Sequence, residues 1–198
     1  MVYQKLPDLV FGFHGCDREI FERVVFHGEP MKESQNEYDW LGHGIYFWEQ
    51  NYQRALEWAQ KSPKIKNPAV IGAVIDRGYC LNLTDSAGAE KLKNGYIILK
   101  IRCEQMGKAL PCNIPSKKVV DILQRNLDCA VIQQIHDYNR ENNLAGYDSV
   151  RGIFEEGEPA YPGSCFREKT HTQLCIRNPN CIKAFFNPLH ANPNYIMP

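Results

Sequence analysis

The chain has no surplus of charge of either sign: Lys plus Arg and Asp plus Glu each number 23 among 198 residues. A protein held to nucleic acid or anionic membrane by its overall field needs a positive surplus, so partners of that kind are unsupported. Nowhere do eighteen apolar residues follow one another, and the opening MVYQKLPDLVFGF has no long apolar run behind a basic region. A soluble, unsecreted, cytoplasmic protein with no membrane partner is therefore expected. No Cys-x-x-Cys occurs, and Cys175 and Cys181 have no zinc-finger partner spacing, so no metal is expected. Repeats, heptads and low-complexity tracts are missing as well, which excludes solenoids, coiled coils and disordered tails as the main architecture.

What is present is an ordinary globular composition, 43% hydrophobic and 23% charged. That fits a single domain over residues 1–198, large enough to bury a core unaided, with 187–198 as a Pro- and Asn-rich irregular tail. The eight cysteines are an even number for disulfides, yet a core of this size has no need of them, so reduced thiols are expected.

Along the chain, Leu9 to Phe13 reads as a strand ending at His14-Gly15, and Asp17 caps a helix bearing Ile20, Phe21, Val24 and Val25 on one face. Residues 39–59, DWLGHGIYFWEQNYQRALEWA, concentrate aromatics around a tight Gly42-x-Gly44 bend. Ile45, Tyr46 and Phe47 are β-formers, and Tyr52, Ala55, Leu56 and Ala59 form a helix face behind an Asn51 cap. This stretch is either a ligand pocket or a core strand and helix whose aromatics simply pack. Further strands are expected at Ala69 to Asp76, around Leu81 and Leu83, at Gly146 to Phe154, Thr172 to Arg177 and Lys183 to Phe186. Helices are expected around Glu90 to Leu99 and over Lys117 to His136, the latter capped by Ser116.

Three motifs stand in order: Phe13-His14-Gly15 closing the first strand, Gly42-His43-Gly44-Ile45-Tyr46-Phe47 leading into the second, and Thr172-Gln173-Leu174-Cys175-Ile176-Arg177 late in the chain. Together they resemble the ADP-ribosyltransferase superfamily, in the histidine-tyrosine-glutamate branch of the poly(ADP-ribose) polymerases and diphtheria toxin. The resemblance is close over about a quarter of the chain and topological elsewhere. It implies an α+β fold in which two small, mainly antiparallel sheets with flanking helices form a cleft for NAD.

The same resemblance implies roles for individual residues. The Gly15 backbone would pair with the nicotinamide carboxamide, and His14 would bond the adenine-side ribose; a buried, backbone-satisfied histidine is the alternative. Gly44 belongs to the bend of the second motif, Tyr46 would lie beneath the nicotinamide ring, and Trp58 would stack beside it unless it is a core tryptophan. Ala55 stands where the polymerases carry a serine that bonds the carboxamide, and His43 is expected to face solvent. Gln173 occupies the place of the catalytic glutamate. A carboxamide accepts a ribose hydroxyl but supplies neither negative charge nor a general base.

The nearest acidic residues are Glu155, Glu156 and Glu158, of which Glu156 is the candidate for a borrowed carboxylate; a solvated acidic turn is the alternative. Arg151 would answer the NAD pyrophosphate, or else form an ion pair. The activity implied is mono-ADP-ribosyl transfer from NAD to a protein, nucleic acid or small-molecule acceptor. NAD hydrolysis and catalytically silent NAD or ADP-ribose binding are the rivals. For a toxin-like chain an inhibitory partner protein is also admitted.

Overall fold

Leu9–Asp17 (β1) and Pro68–Asp76 (β3) are both rich in β-formers and pair antiparallel in unbroken register from Leu9↔Asp76 to Asp17↔Pro68. They belong to a computed structural model that describes residues 9–115, 121–188 and 194. Around this pair a seven-stranded sheet assembles in the order β4-β7-β8-β2-β1-β3-β9. Its other members are Ile45–Glu49 (β2), Cys80–Asn82 (β4), Ser149–Phe154 (β7), His171–Ile176 (β8) and Ile182–Phe186 (β9). Only β4 and β7 run parallel, so the sheet is mixed but mostly antiparallel.

The expectation of two small sheets is corrected here. β2 bonds β1 along one edge and β8 along the other, and this double pairing joins what would have been two halves. The second sheet is only a ribbon of two residues per strand, Asn113–Ile114 (β5) with Gln124–Arg125 (β6).

Among the described residues four α-helices complete the α+β fold: Arg18–Val25 (α1), Tyr52–Lys61 (α2), Ser86–Gln105 (α3) and Asn126–Glu141 (α4). Asp17 caps α1 and Asn51 caps α2, each accepting from a first-turn N–H as expected. α3 is longer than the sequence predicted because Asp85 caps it, accepting from Gly88 N at 2.7 Å. The predicted start of α4 is corrected. Ser116 to Val120 lie outside the described residues, and Gln124–Arg125 is strand rather than helix. The helix starts at Asn126 because its first-turn N–H groups are capped from a distance: Asn113 Oδ1 accepts from Leu127 N at 2.9 Å and from Asp128 N at 3.3 Å. Of the expected tail, only 187, 188 and 194 are described.

Strand alternation sorts the core into two layers. Ile45, Phe47, Leu174 and Ile176 pack with Val10 and Ile75 on one side of the sheet. Tyr46, Val150 and Cys175 turn to the other side, against Leu41 and Ile132 of α4. α1 covers the first side through Phe21 and Val24 against Ile71, while α2 covers the second through Ala55 against Trp48 and Val70. Each fully buried Phe, Leu or Ile contributes about 1.5–3 kcal/mol. All eight cysteines are free. Among the described residues no helix is long and apolar enough to cross a membrane.

Candidate functional site

The three sequence motifs, far apart along the chain, end up on three consecutive strands: β1 carries His14-Gly15, β2 carries Tyr46-Phe47, and β8 carries Gln173. β2 and β8 are in register, with Tyr46 opposite Cys175 and Trp48 opposite Gln173. Registered pairing between β1 and β2 is confined to Gly12↔Glu49 and Phe13↔Trp48. Beyond those pairs the strands diverge, and His14 bridges the divergence by donating from Nδ1 to the Tyr46 carbonyl oxygen at 2.8 Å. Burial holds the His14 ring below the usual imidazole pKa. Its ring rests edge-on against Phe47, on the α1 side of the sheet.

Tyr46 sends its ring to the opposite side. The hydroxyl donates to the Gly42 carbonyl oxygen at 2.6 Å and accepts from Leu41 N at 2.8 Å, so it clamps the bend that precedes its own strand. Burial pushes its phenol pKa well up. His14 and Tyr46 are thus brought together through the tyrosine carbonyl and not ring to ring; a ligand touching both rings must cross the divergence between β1 and β2.

Gly15 and Gly44 of the motifs have close neighbours inside the protein. A Cβ on Gly15 would stand 2.2 Å from the Ala55 carbonyl oxygen of α2, so the residue without a side chain lets the helix backbone come down on β1. Gly44 has φ +155 and a Cβ there would stand 2.6 Å from the Ile176 carbonyl oxygen. The central stretch is therefore core strand and helix as well as candidate site.

Gln173 sits within a polar chain that sequence reasoning had not joined up. Its Nε2 lies 2.8 Å from His171 Nε2. His171 Nδ1 lies 2.7 Å from the Lys169 carbonyl oxygen and 3.5 Å from Glu156 Oε2. Glu156 accepts from Arg54 Nη2 at 3.1 Å, and Arg54 Nη1 reaches Glu57 at 3.0 Å. Gln173 and Glu156, both candidate residues, are thereby linked through His171. Burial raises the Glu156 pKa against the opposing pull of Arg54, and burial lowers that of His171 to about 4. Arg54 Nε and Trp48 Nε1 are buried in this neighbourhood with no hydrogen-bond partner among the described residues. His171 could have been found from the strand pattern, since residues two apart share a face of the sheet; Arg54 had no such signal.

Other candidates are placed elsewhere. Trp58 is not a core residue: it is 46% exposed, with its ring tilted against buried Trp48 at a centroid distance of 5.7 Å. Arg151 alternates with Gly152, the register partner of Gln173, so its side chain leaves by the far side of the sheet. There it bonds Glu49 at 2.6 Å and Thr84 at 3.0 Å, the ion-pair alternative rather than a free pyrophosphate clamp. His43 does not face solvent freely; its backbone N and its Nδ1 both meet the Gln133 amide, at 3.2 and 3.0 Å. A cavity of about 620 Å³ lies between α3, α4 and β7, lined among others by Trp40, Lys93, Tyr96, Arg125 and Phe154. It takes Trp40 and Leu41 from the central stretch, while His14, Tyr46 and Trp58 lie outside its lining. Among the described residues no three His, Cys, Asp or Glu side chains converge as a metal site requires.

No protein-family model matches the chain, and no solved structure matches it. The chain is similar to Uncharacterized protein MJ0359 of Methanocaldococcus jannaschii, 27% identical over 196 residues, an alignment covering 86% of this chain and 83% of that protein. The likeness spans most of both chains, and the relative's name states no activity.

Proposed function

We propose that this protein binds NAD across the divergence of β1 and β2, breaks the nicotinamide–ribose bond and passes ADP-ribose to an acceptor. The observation that carries this reading is the adjacency of the motif strands. His14, Tyr46 and Gln173 are scattered over most of the chain, yet β1, β2 and β8 are neighbours and His14 is hydrogen-bonded to β2.

In this reading nicotinamide departs with the electrons of the C–N bond, and positive charge grows on the ribosyl carbon. The acceptor nucleophile attacks that carbon and gives up its proton to solvent. The chain's residues act by positioning and by charge rather than by covalent attack. Gln173 accepts a hydrogen bond from a ribose hydroxyl, and Glu156 supplies the negative charge that a glutamate at Gln173 would have supplied. A binding-only reading is favoured by one observation: Arg54 already bonds both Glu156 and Glu57, which offsets the charge reaching the cleft.

The test is release of nicotinamide from NAD by the purified protein. Acceptor-dependent release supports the transferase, steady release without acceptor indicates hydrolysis, and NAD binding without release leaves the binding module.

A further inference from the structure

His171 Nδ1 lies 2.7 Å from the Lys169 carbonyl oxygen, which can only accept, with Glu156 Oε2 further off at 3.5 Å. The ring proton must therefore sit on Nδ1. In the neutral ring Nε2 is then a lone-pair acceptor, and the Gln173 group 2.8 Å away has to be the amide NH2. This fixes the orientation of the Gln173 carboxamide by hydrogen-bond chemistry alone. The carbonyl oxygen points away from His171.

We infer that His171 is a positioning residue which holds Gln173 with its carbonyl oxygen toward the cleft, so that the site selects a ligand presenting a hydroxyl donor, such as a ribose diol. The inference deepens the NAD reading and rests on it for the identity of the ligand. The geometry of the pair stands independently. His171 is itself well fixed: it is buried, it pairs with Phe154 across β7 and β8 with ring centroids 5.9 Å apart, and it lies against the Trp48 indole at 6.3 Å. Without His171 the amide is free to flip. Half of its orientations would then turn NH2 toward the ligand, where a hydroxyl oxygen could be met only as an acceptor and the donor preference would be lost.

Two variants separate this role from packing. His171→Phe keeps an aromatic ring between Trp48 and Phe154 but removes the acceptor, whereas His171→Gln can place a carbonyl oxygen near the former Nε2 position. His171→Phe should slow nicotinamide release about five- to tenfold in kcat, the scale of one misplaced hydrogen bond, with KM for NAD little changed; His171→Gln should recover most of that loss. Side-chain nitrogen NMR supplies a readout that needs no NAD turnover. The wild type should show His171 protonated on Nδ1 and unprotonated on Nε2, with a slowly exchanging Gln173 NH2 that becomes fast in His171→Phe. A proton on Nε2 in the neutral ring, or an unchanged Gln173 NH2 in His171→Phe, overturns the inference whatever the activity. Where the wild type releases nicotinamide, equal rates for His171→Phe and His171→Gln overturn it too. If instead the NMR pattern is as expected and the wild type binds no NAD, the ligand assignment fails while the positioning stands.

Discussion

Tyr46 has a structural use that its place in the motif does not announce. Its hydroxyl holds Leu41 N and the Gly42 carbonyl, so part of its contribution is to the fold. Tyr46→Phe should lower stability by about 1–3 kcal/mol in urea unfolding, because both groups lose their partner, while leaving NAD affinity nearly unchanged. If Tyr46→Phe weakens NAD binding as much as Tyr46→Ala does, the hydroxyl touches the ligand and the clamp is not its main use. Glu156 is the second residue on which the account leans. Glu156→Gln should slow nicotinamide release by about 10²-fold, the scale of one lost electrostatic stabiliser. An unaltered rate at equal folded fraction removes Glu156 from the chemistry. His14, Tyr46 and Gln173 were visible in the sequence as candidates because each sits in a short motif. The Glu156–His171–Gln173 link was not, because it joins a loop to a strand through contacts that no local spacing encodes. The ion-pair alternative for Arg151 is the one the structure shows, with a partner, Glu49, that local spacing does not reveal because it is on a non-adjacent strand of the same sheet.

At the scale of elements, the contact that fixes the site is α2 lying on β1. The close approach is backbone to Cα, since a Cβ on Gly15 would meet the Ala55 carbonyl oxygen at 2.2 Å. Gly15→Ala should therefore destabilise by about 1–3 kcal/mol or more, and trimming Ala55 to Gly should not rescue it, because the obstructing atom is main chain. A Gly15→Ala protein melting at the wild-type temperature would contradict this packing. Elements with their own caps were readable: Asp17 before α1 and Asn51 before α2 stand where they act. α4 was read as beginning too early because its cap, Asn113, arrives from another element. The period of its apolar positions could not reveal that. The union of the strands into one sheet was equally illegible, since it depends on which edges β2 presents.

For the whole molecule, three imidazoles have pKa values lowered by burial: His14, His171 to about 4 and His136 to about 3, against 6.5 in an open chain. The unfolded chain therefore binds more protons than the fold below pH 6.5, so this stability is complete above 6.5 and is lost as pH falls toward the folded values. Glu156, whose pKa is raised, has the opposite sign. His136 offers a clean difference, because neither ring nitrogen has a hydrogen-bond partner among the described residues. His136→Leu should flatten the acid limb of stability against pH by about 1.4 kcal/mol per pH unit between about pH 6 and pH 4. Parallel curves for the two proteins would contradict the buried neutral imidazole.

The central claim is that the ligand crosses the sheet where β1 and β2 diverge and does not occupy the cavity between α3, α4 and β7. Titration of NAD into the wild-type protein, followed by backbone amide NMR, tests it most directly. The account predicts saturable shifts centred on Gly15, Tyr46 and Gln173 and their strand neighbours. No shifts at saturating NAD, or shifts confined to the cavity around Tyr96, Leu127 and Ile132, would contradict it.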